Sequence, residues 1–132
     1  MKAILSIPVE NLAEATITRA RGAEAFQKLA KHIEDNDRSG IVFLVDISGA
    51  ELVSQSFLDE LVLRIGKFDS PNVKIGFRIA STRDLDRLER VCSVRRVRCT
   101  YQYGDSPILK RTHIRKDREL NTMPFPGDFF QT

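Results

Sequence analysis

Hydrophobic and polar positions in the first half of this chain follow two different periods. In GAEAFQKLAKHIED, apolar residues recur with the spacing of one face of an amphipathic helix; they are Phe26, Leu29, Ala30 and Ile33. The run IVFLVDI at 41–47 is continuously apolar and rich in β-branched residues, which is typical of a strand buried on both faces. The short apolar run KAILSI at 2–7 predicts a first strand, and PVENLAEATITRAR between them is compatible with helix or strand.

In the second half of the chain, predicted helices and strands continue to alternate. Helical spacing returns from Ser56 onward, with an apolar face made of Leu58, Leu61, Val62 and Ile65. VKIGFRIA at 73–80 alternates with period two, as a strand does. STRDLDRLERVC then predicts a helix, and VRRVRCTYQY predicts a further strand with Val97, Cys99, Tyr101 and Tyr103 on its apolar side.

Strands alternating with helices of this length predict one layered α/β domain over residues 1–103, with a mixed sheet of about four strands that includes parallel pairs. Residues 104–132 break the pattern. They are polar and basic up to Asn121 and end in MPFPGDFF. We expect a C-terminal tail that is partly flexible or folded back, with a last helix over LKRTHIRKDREL as the alternative.

The amino-acid composition limits the broad class of protein to which this chain can belong. Hydrophobic residues make up 42% and charged residues 30% of the 132 residues, which favours a soluble globular protein. The longest apolar run, residues 41–45, is too short to cross a membrane. Cys92 and Cys99 match no zinc or redox spacing, and His32 and His113 have no ligand at a suitable spacing. We therefore expect a reduced, cytoplasmic protein without membrane contact, metal or cofactor.

The charge is unevenly distributed. Residues 1–71 hold 8 basic and 11 acidic side chains, whereas residues 72–132 hold 13 and 7. One hypothesis is therefore a nucleic-acid-binding face made of arginines on the third helix and the strand after it: Arg83, Arg87, Arg90, Arg96 and Arg98. Acidic residues interleave with these arginines, so a solvated face or an acidic protein partner is the favoured interpretation.

The stretch DISGAELVSQSFLDEL at 46–61 carries the candidate chemistry. Ser56 followed by Asp59 has the form of a capping box, and Ser81 with Asp84 repeats it, so both serines are expected to begin ordinary helices. Asp46, Asp59 and Glu60 are the carboxylates near this turn. No nucleophile with an adjacent base and no glycine-rich phosphate loop is present in the sequence, which argues against an enzyme.

A buried strand ending at Asp46, a Ser-Gly loop and a capped helix resemble the core of the STAS domain, the fold of anti-sigma-factor antagonists and of the cytoplasmic ends of sulphate transporters. In that family, the middle serine of a DSSG-type motif is phosphorylated by a partner kinase that is also the anti-sigma factor. Here Ser54, Gln55, Ser56 and Phe57 occupy the four motif positions, so Gln55 replaces the phosphorylated serine. SQSFLDEL is more similar to a STAS-like family of unknown function, and the resemblance covers about residues 15–103.

The resemblance implies a regulatory module of a bacterial signalling system that binds another protein, such as a histidine-kinase-like ATPase. Phosphate on Ser54 or Ser56 would add about −1.5 to −2 charges next to the helix start. Because a capping Ser56 would already be engaged, Ser54 is the better candidate. The predicted partner-binding surface consists of Asp46, Ser48, Ser54, Gln55, Ser56, Asp59 and Glu60.

Overall fold

The computed structural model describes residues 3–36, 40–68 and 73–115. Five strands follow each other in the sheet: β1 (Ala3–Pro8), β2 (Ile41–Asp46), β3 (Lys74–Ile79), β4 (Thr100–Tyr103) and β5 (Leu109–Arg111). Three helices connect the first four: α1 (Arg19–Asp35), α2 (Gln55–Lys67) and α3 (Thr82–Arg95). A single 3-10 turn, Val9–Asn11, precedes the irregular segment that leads into α1. The predicted α/β class is confirmed.

The sheet has the order β1-β2-β3-β4-β5, with the first four strands parallel and β5 antiparallel to β4. β5 was not predicted, because a three-residue strand is too short to show a period in the sequence. It lies at residues 109–111, within the segment expected to be a tail, and pairs Arg111 with Thr100. Leu109–Arg111 is thus a strand and not the start of the alternative C-terminal helix; the rest of that helix and the apolar end of the chain extend into residues 116–132, outside the described residues.

The three helices lie side by side on one face of the sheet. α1 packs against α2, and α2 packs against α3. Between these helices and the sheet lies one continuous core, and its largest fully buried members include Phe43, Phe57, Phe77, Leu29, Leu61 and Leu88. Successive parallel strands that advance in one direction through right-handed crossovers place every connecting helix on the same side, which explains this layer.

Gly22 determines how closely α1 and α2 approach. A Cβ atom at this position would lie 2.8 Å from the backbone oxygen of Phe57 and 3.0 Å from Cβ of Glu60. The buried face of α1 consists of Gly22, Ala25, Leu29 and Ile33. The predicted face was rotated slightly toward Phe26, which is only partly buried and meets Phe68 edge-on at a ring-centroid distance of 6.0 Å.

Side-chain caps begin all three helices. Thr18 accepts a hydrogen bond from the Arg21 amide at the start of α1, and Ser81 accepts one from the Asp84 amide at the start of α3, as predicted for Ser81. The prediction for α2 was wrong: its N-cap is Ser54, which accepts from the Phe57 amide, and not Ser56. Ser56 is one residue inside the helix and is 5% exposed, so it lies on the core side.

Candidate functional site

The carboxyl ends of β2 and β3 hold a polar network at one edge of the sheet. Asp46, the last residue of β2, accepts hydrogen bonds from the Ser48 amide at 2.9 Å and from the Arg78 guanidinium at 3.1 Å. Arg78 also contacts the Ser48 hydroxyl at 3.3 Å and the exposed Asp105 carboxylate at 3.0 Å. Because Asp46 and Arg78 are register partners in neighbouring parallel strands, the pair is built into the sheet.

The network keeps Asp46 ionised. Burial by itself raises the pKa of Asp46, but the hydrogen bonds from Ser48 and the charge of Arg78 outweigh it and hold that pKa below its usual value. The carboxylate therefore carries a negative charge at neutral pH, and it serves as an anchor for the loop that follows β2.

Two loop segments lie against each other beside this network. The Ser54 amide donates to the Thr16 carbonyl at 2.9 Å, and the Thr16 hydroxyl donates to the Leu52 carbonyl. The Ser54 hydroxyl donates to the Ile17 carbonyl while it caps α2. These bonds hold together two segments whose apolar side chains point into solvent: Ile17 is 54% exposed and Leu52 is 44% exposed.

Acidic residues occur on or next to both of these segments. Glu10 and Glu51 are exposed, and a Cβ added at Gly49 would lie 3.5 Å from a carboxylate oxygen of Glu10. Glu14 is 78% exposed while it pairs with Arg21 at 3.2 Å. The surface at this end of the sheet thus combines exposed aliphatic area with negative charge.

The structure places the predicted partner-binding residues in two different environments. Asp46, Ser48, Ser54 and Gln55 lie at the carboxyl edge of the sheet or at the first residues of α2. Ser56 and Asp59 are buried, and Glu60 pairs within its own helix with Arg64 at 2.7 Å. The Gln55 side-chain oxygen is buried and accepts no hydrogen bond from any residue that the structure describes.

The two candidate phosphorylation sites, Ser54 and Ser56, differ in their hydrogen bonds and in their burial. The Ser54 hydroxyl is engaged twice, as the cap of α2 and as a donor to Ile17. Ser56 is 5% exposed. Ser56 is therefore inaccessible in this conformation, whereas Ser54 is only half-buried and would have to give up its bond to the Ile17 carbonyl to carry a phosphate.

Asp59 has a role that the sequence did not reveal. Its carboxylate accepts two hydrogen bonds from Arg95 of α3, at 2.7 and 2.6 Å, and one from Arg19 of α1 at 2.6 Å. Although burial raises the pKa of Asp59, the hydrogen bonds from Arg95 and Arg19 outweigh it and lower that pKa. The sequence signal was indirect: an acid in the first turns of a helix has several possible partners, and only packing selects them.

The arginines of the nucleic-acid hypothesis are spread over several environments. On α3, Arg87 donates to the Val53 carbonyl at 2.7 Å, and Arg90 pairs with Asp86 at 3.0 Å. Arg83 is exposed. Arg96 ends α3 in the left-handed conformation, with φ of 57°, and Arg98 is exposed just before β4. Arg87 and Arg90 therefore make hydrogen bonds and ion pairs within the domain.

Cys92 and Cys99 are both buried and free. Within residues 3–36, 40–68 and 73–115, no group of three or more His, Cys, Asp or Glu side chains is arranged to hold a metal ion. In the same part of the chain, no helix has the length and apolar character needed to cross a membrane. Comparisons with protein-family models, with curated proteins and with solved structures find no match to this chain.

Proposed function

We propose that this chain is a non-enzymatic, STAS-like protein-interaction module of a signalling system. Its binding surface is the carboxyl edge of the sheet, made by the Asp46–Ser48 loop, the start of α2 and the apolar pair Ile17 and Leu52. The observation that carries the proposal is this pair of exposed aliphatic side chains, held on two hydrogen-bonded segments. Exposed apolar side chains grouped inside a polar rim are characteristic of interaction surfaces.

The carboxylates near this surface support a binding role over general acid–base catalysis. A general acid or base works best when its pKa lies near the operating pH. Arg78 and Ser48 lower the pKa of Asp46, and Arg95 and Arg19 lower the pKa of Asp59. Both groups therefore stay ionised at neutral pH and act as fixed charges that position neighbouring segments.

The charge of the surface indicates the kind of partner. Glu10, Glu14 and Glu51 are exposed on or next to the segments that carry Ile17 and Leu52, so a partner with basic side chains around an apolar patch is complementary. The resemblance of SQSFLDEL and the strand before it to STAS-like domains favours a histidine-kinase-like regulatory ATPase. A phosphate on Ser54 would increase the negative charge of the same surface and change this complementarity.

A pull-down of the tagged chain from extracts of its native cells, with and without nuclease, tests the proposal. Ile17→Ser and Leu52→Ser each remove one exposed aliphatic side chain, and we expect each to reduce partner recovery roughly tenfold. Val94→Ser is the matched control, because Val94 is also 54% exposed but lies near the end of α3, at the opposite end of the domain. Gln55→Lys adds a positive charge at the start of α2 and should also reduce recovery.

The proposal is supported if a partner is still recovered after nuclease treatment and Val94→Ser recovers as much of it as the wild type does. Recovery should then fall only for Ile17→Ser, Leu52→Ser and Gln55→Lys. Mass spectrometry of the retained band shows whether the partner is an ATPase. Partner recovery that is lost on nuclease treatment would overturn the proposed function. It would favour nucleic-acid binding through the arginines of α3 and the strand after it: Arg83, Arg87, Arg90, Arg96 and Arg98. Equal partner recovery by all variants would show that this surface does not bind the partner.

A further inference from the structure

A pocket lies near the amino ends of the parallel strands, at the other end of the sheet from the surface proposed above. It is an open pocket with a volume of about 320 Å³. Its lining residues come from β2, β3, β4, β5 and the segment just before β4: Val42, Lys74, Ile75, Arg98, Thr100, Leu109, Lys110 and Arg111. Half of them are cationic and none is acidic, which distinguishes this pocket from the acidic surface described above.

The two arginines of this pocket, Arg98 and Arg111, use few of their N–H donors within the described part of the chain. Arg98 is exposed and makes one weak hydrogen bond, at 3.4 Å, to the Thr112 carbonyl. Arg111 is exposed and makes one of the same length to the Arg98 carbonyl. Neither guanidinium forms an ion pair with a carboxylate in the described part of the chain. A guanidinium carries five N–H donors, so most of them remain available to an incoming anion.

Gly76 lies in the sheet next to two lining residues, since it follows Ile75 in β3 and is the register partner of Thr100. In the sheet register, Leu44, Gly76, Thr100 and Arg111 form one row across four strands. A Cβ at Gly76 would lie 2.3 Å from the Thr100 carbonyl oxygen, so β3 and β4 approach too closely for any other residue. The row consequently has no side chain at its centre, between Leu44 and Thr100.

We propose that this pocket binds a small molecule that carries two or more linked phosphate groups. Arg98, Lys110 and Arg111 place three positive charges around a small volume, and a multivalent anion relieves their mutual repulsion while the guanidinium forks match phosphate geometry. The volume lies at the lower end of the range for small-molecule sites, about 300–1,000 Å³. The Thr100 hydroxyl adds a neutral donor, and Val42 and Leu109 offer apolar contact to the rest of the ligand.

The observations favour a small phosphate ligand over a nucleic-acid strand. Single-stranded nucleic acids bind through aromatic platforms along a basic groove. The aromatic residues of β4, Tyr101 and Tyr103, belong to the core on the helix side of the sheet, so they provide no such platform here. The cationic residues also enclose one pocket, whereas a strand requires a continuous track.

Isothermal titration calorimetry on the full chain tests the proposal, with sodium tripolyphosphate, ADP, inorganic phosphate and a short single-stranded oligonucleotide as probes. We expect tripolyphosphate or ADP to bind more tightly than inorganic phosphate. Arg98→Gln and Arg111→Gln should each weaken binding roughly tenfold, and Arg111→Lys should lose less because it retains the charge. Tighter binding of ADP than of tripolyphosphate would show that a nucleoside part is recognised.

Arg83→Gln is the matched control, since it removes the same charge from an exposed side chain of α3 outside the pocket. Equal losses in Arg83→Gln and Arg111→Gln would overturn the proposal, because they would indicate a general attraction of anions to a basic chain. Binding of the oligonucleotide that tripolyphosphate cannot displace would also overturn it, as would no binding of any phosphate. In the pull-down, Arg98→Gln and Arg111→Gln should recover as much protein partner as the wild type. The phosphate pocket and the proposed protein-binding function can therefore be refuted independently of each other.

Discussion

Arg95, in the last turn of α3, holds both carboxylate oxygens of Asp59 in α2, with distances of 2.7 Å from Nε and 2.6 Å from Nη2. Arg19, the first residue of α1, contacts the same carboxylate at 2.6 Å. One carboxylate thus ties all three helices of the layer to each other. The Asp59 side chain is 12% exposed, so solvent screens these contacts less than it screens a surface pair.

Asp59→Asn should lower the free energy of unfolding by about 2 kcal/mol, in the range for hydrogen bonds to charged groups. The amide keeps the shape of the side chain but removes the carboxylate charge that both Arg19 and Arg95 contact, which leaves them only the more distant Glu60. Urea unfolding followed by circular dichroism measures the change. Glu14→Gln is the control, because Glu14 is 78% exposed in its pair with Arg21 and should contribute less than about 1 kcal/mol. Similar values for both variants would contradict a special role for Asp59.

The same carboxylate predicts a pH dependence. Its pKa is lower in the folded chain than its ordinary value of 3.8, so the folded state favours the ionised form. This stabilisation is complete above that ordinary value and is lost as the pH falls below it, through the folded-state pKa. The stability difference between the wild type and Asp59→Asn should therefore shrink in acid below about pH 4. A difference that is constant from neutral to strongly acidic pH would exclude this linkage.

Gly22→Ala should destabilise the chain by about 1–3 kcal/mol, opposite in sign to the helix propensities of the two residues. The new methyl group would lie 2.8 Å from the Phe57 carbonyl oxygen, so α1 and α2 would have to move apart. Thermal or urea unfolding gives the sign directly. Ala23→Gly, next to it in α1, measures the propensity effect alone and should cost about 1 kcal/mol. If Gly22→Ala stabilises the chain, the close approach of the two helices is wrong.

Ser54 and Ser81 allow two caps to be compared within one chain. Ser81→Ala removes a single capping bond and should cost about 1 kcal/mol. Ser54→Ala removes the cap of α2 together with the bond to the Ile17 carbonyl, so the expected cost is about 2 kcal/mol. Urea unfolding of both variants provides the comparison. A larger loss for Ser81→Ala would show that the contact with Ile17 contributes little.

The two thiols should resist a thiol reagent in the native chain. Cys92 is 0% and Cys99 2% exposed, so a reagent reaches neither sulfur in the folded chain; their mutual hydrogen bond raises the pKa of Cys99 and lowers that of Cys92, so burial is what protects Cys92. Since the thiolate is the reactive form, a colorimetric disulfide reagent should react slowly until urea is added. A Val94→Cys variant supplies an exposed thiol on the same helix as Cys92 and should react at once. Fast reaction of the wild type would contradict the burial of both thiols.

Local patterns were sufficient to predict most of the secondary structure. The alternation of Ile75, Phe77 and Ile79 predicted β3, and the capping pair at Ser81 predicted the start of α3. Leu58, Leu61 and Val62 are core residues of α2, as their spacing indicated. The predictions failed where two local signals competed. Ser54 and Ser56 are both good caps, and the choice depends on the Thr16–Ile17 segment, which is distant in the sequence.

The sequence by itself determined the order of the first four strands and the three helices and the apolar side of most of them, because hydrophobic period and capping preference act over a few neighbouring residues. The tertiary structure alone decided that Asp59 joins Arg19 and Arg95, and that the segments carrying the exposed side chains of Ile17 and Leu52 are hydrogen-bonded to each other. It also decided that Arg98 and Arg111 border one pocket. Charged partners 36 and 40 residues apart meet only after the helices have packed on the sheet, and no local pattern encodes that packing.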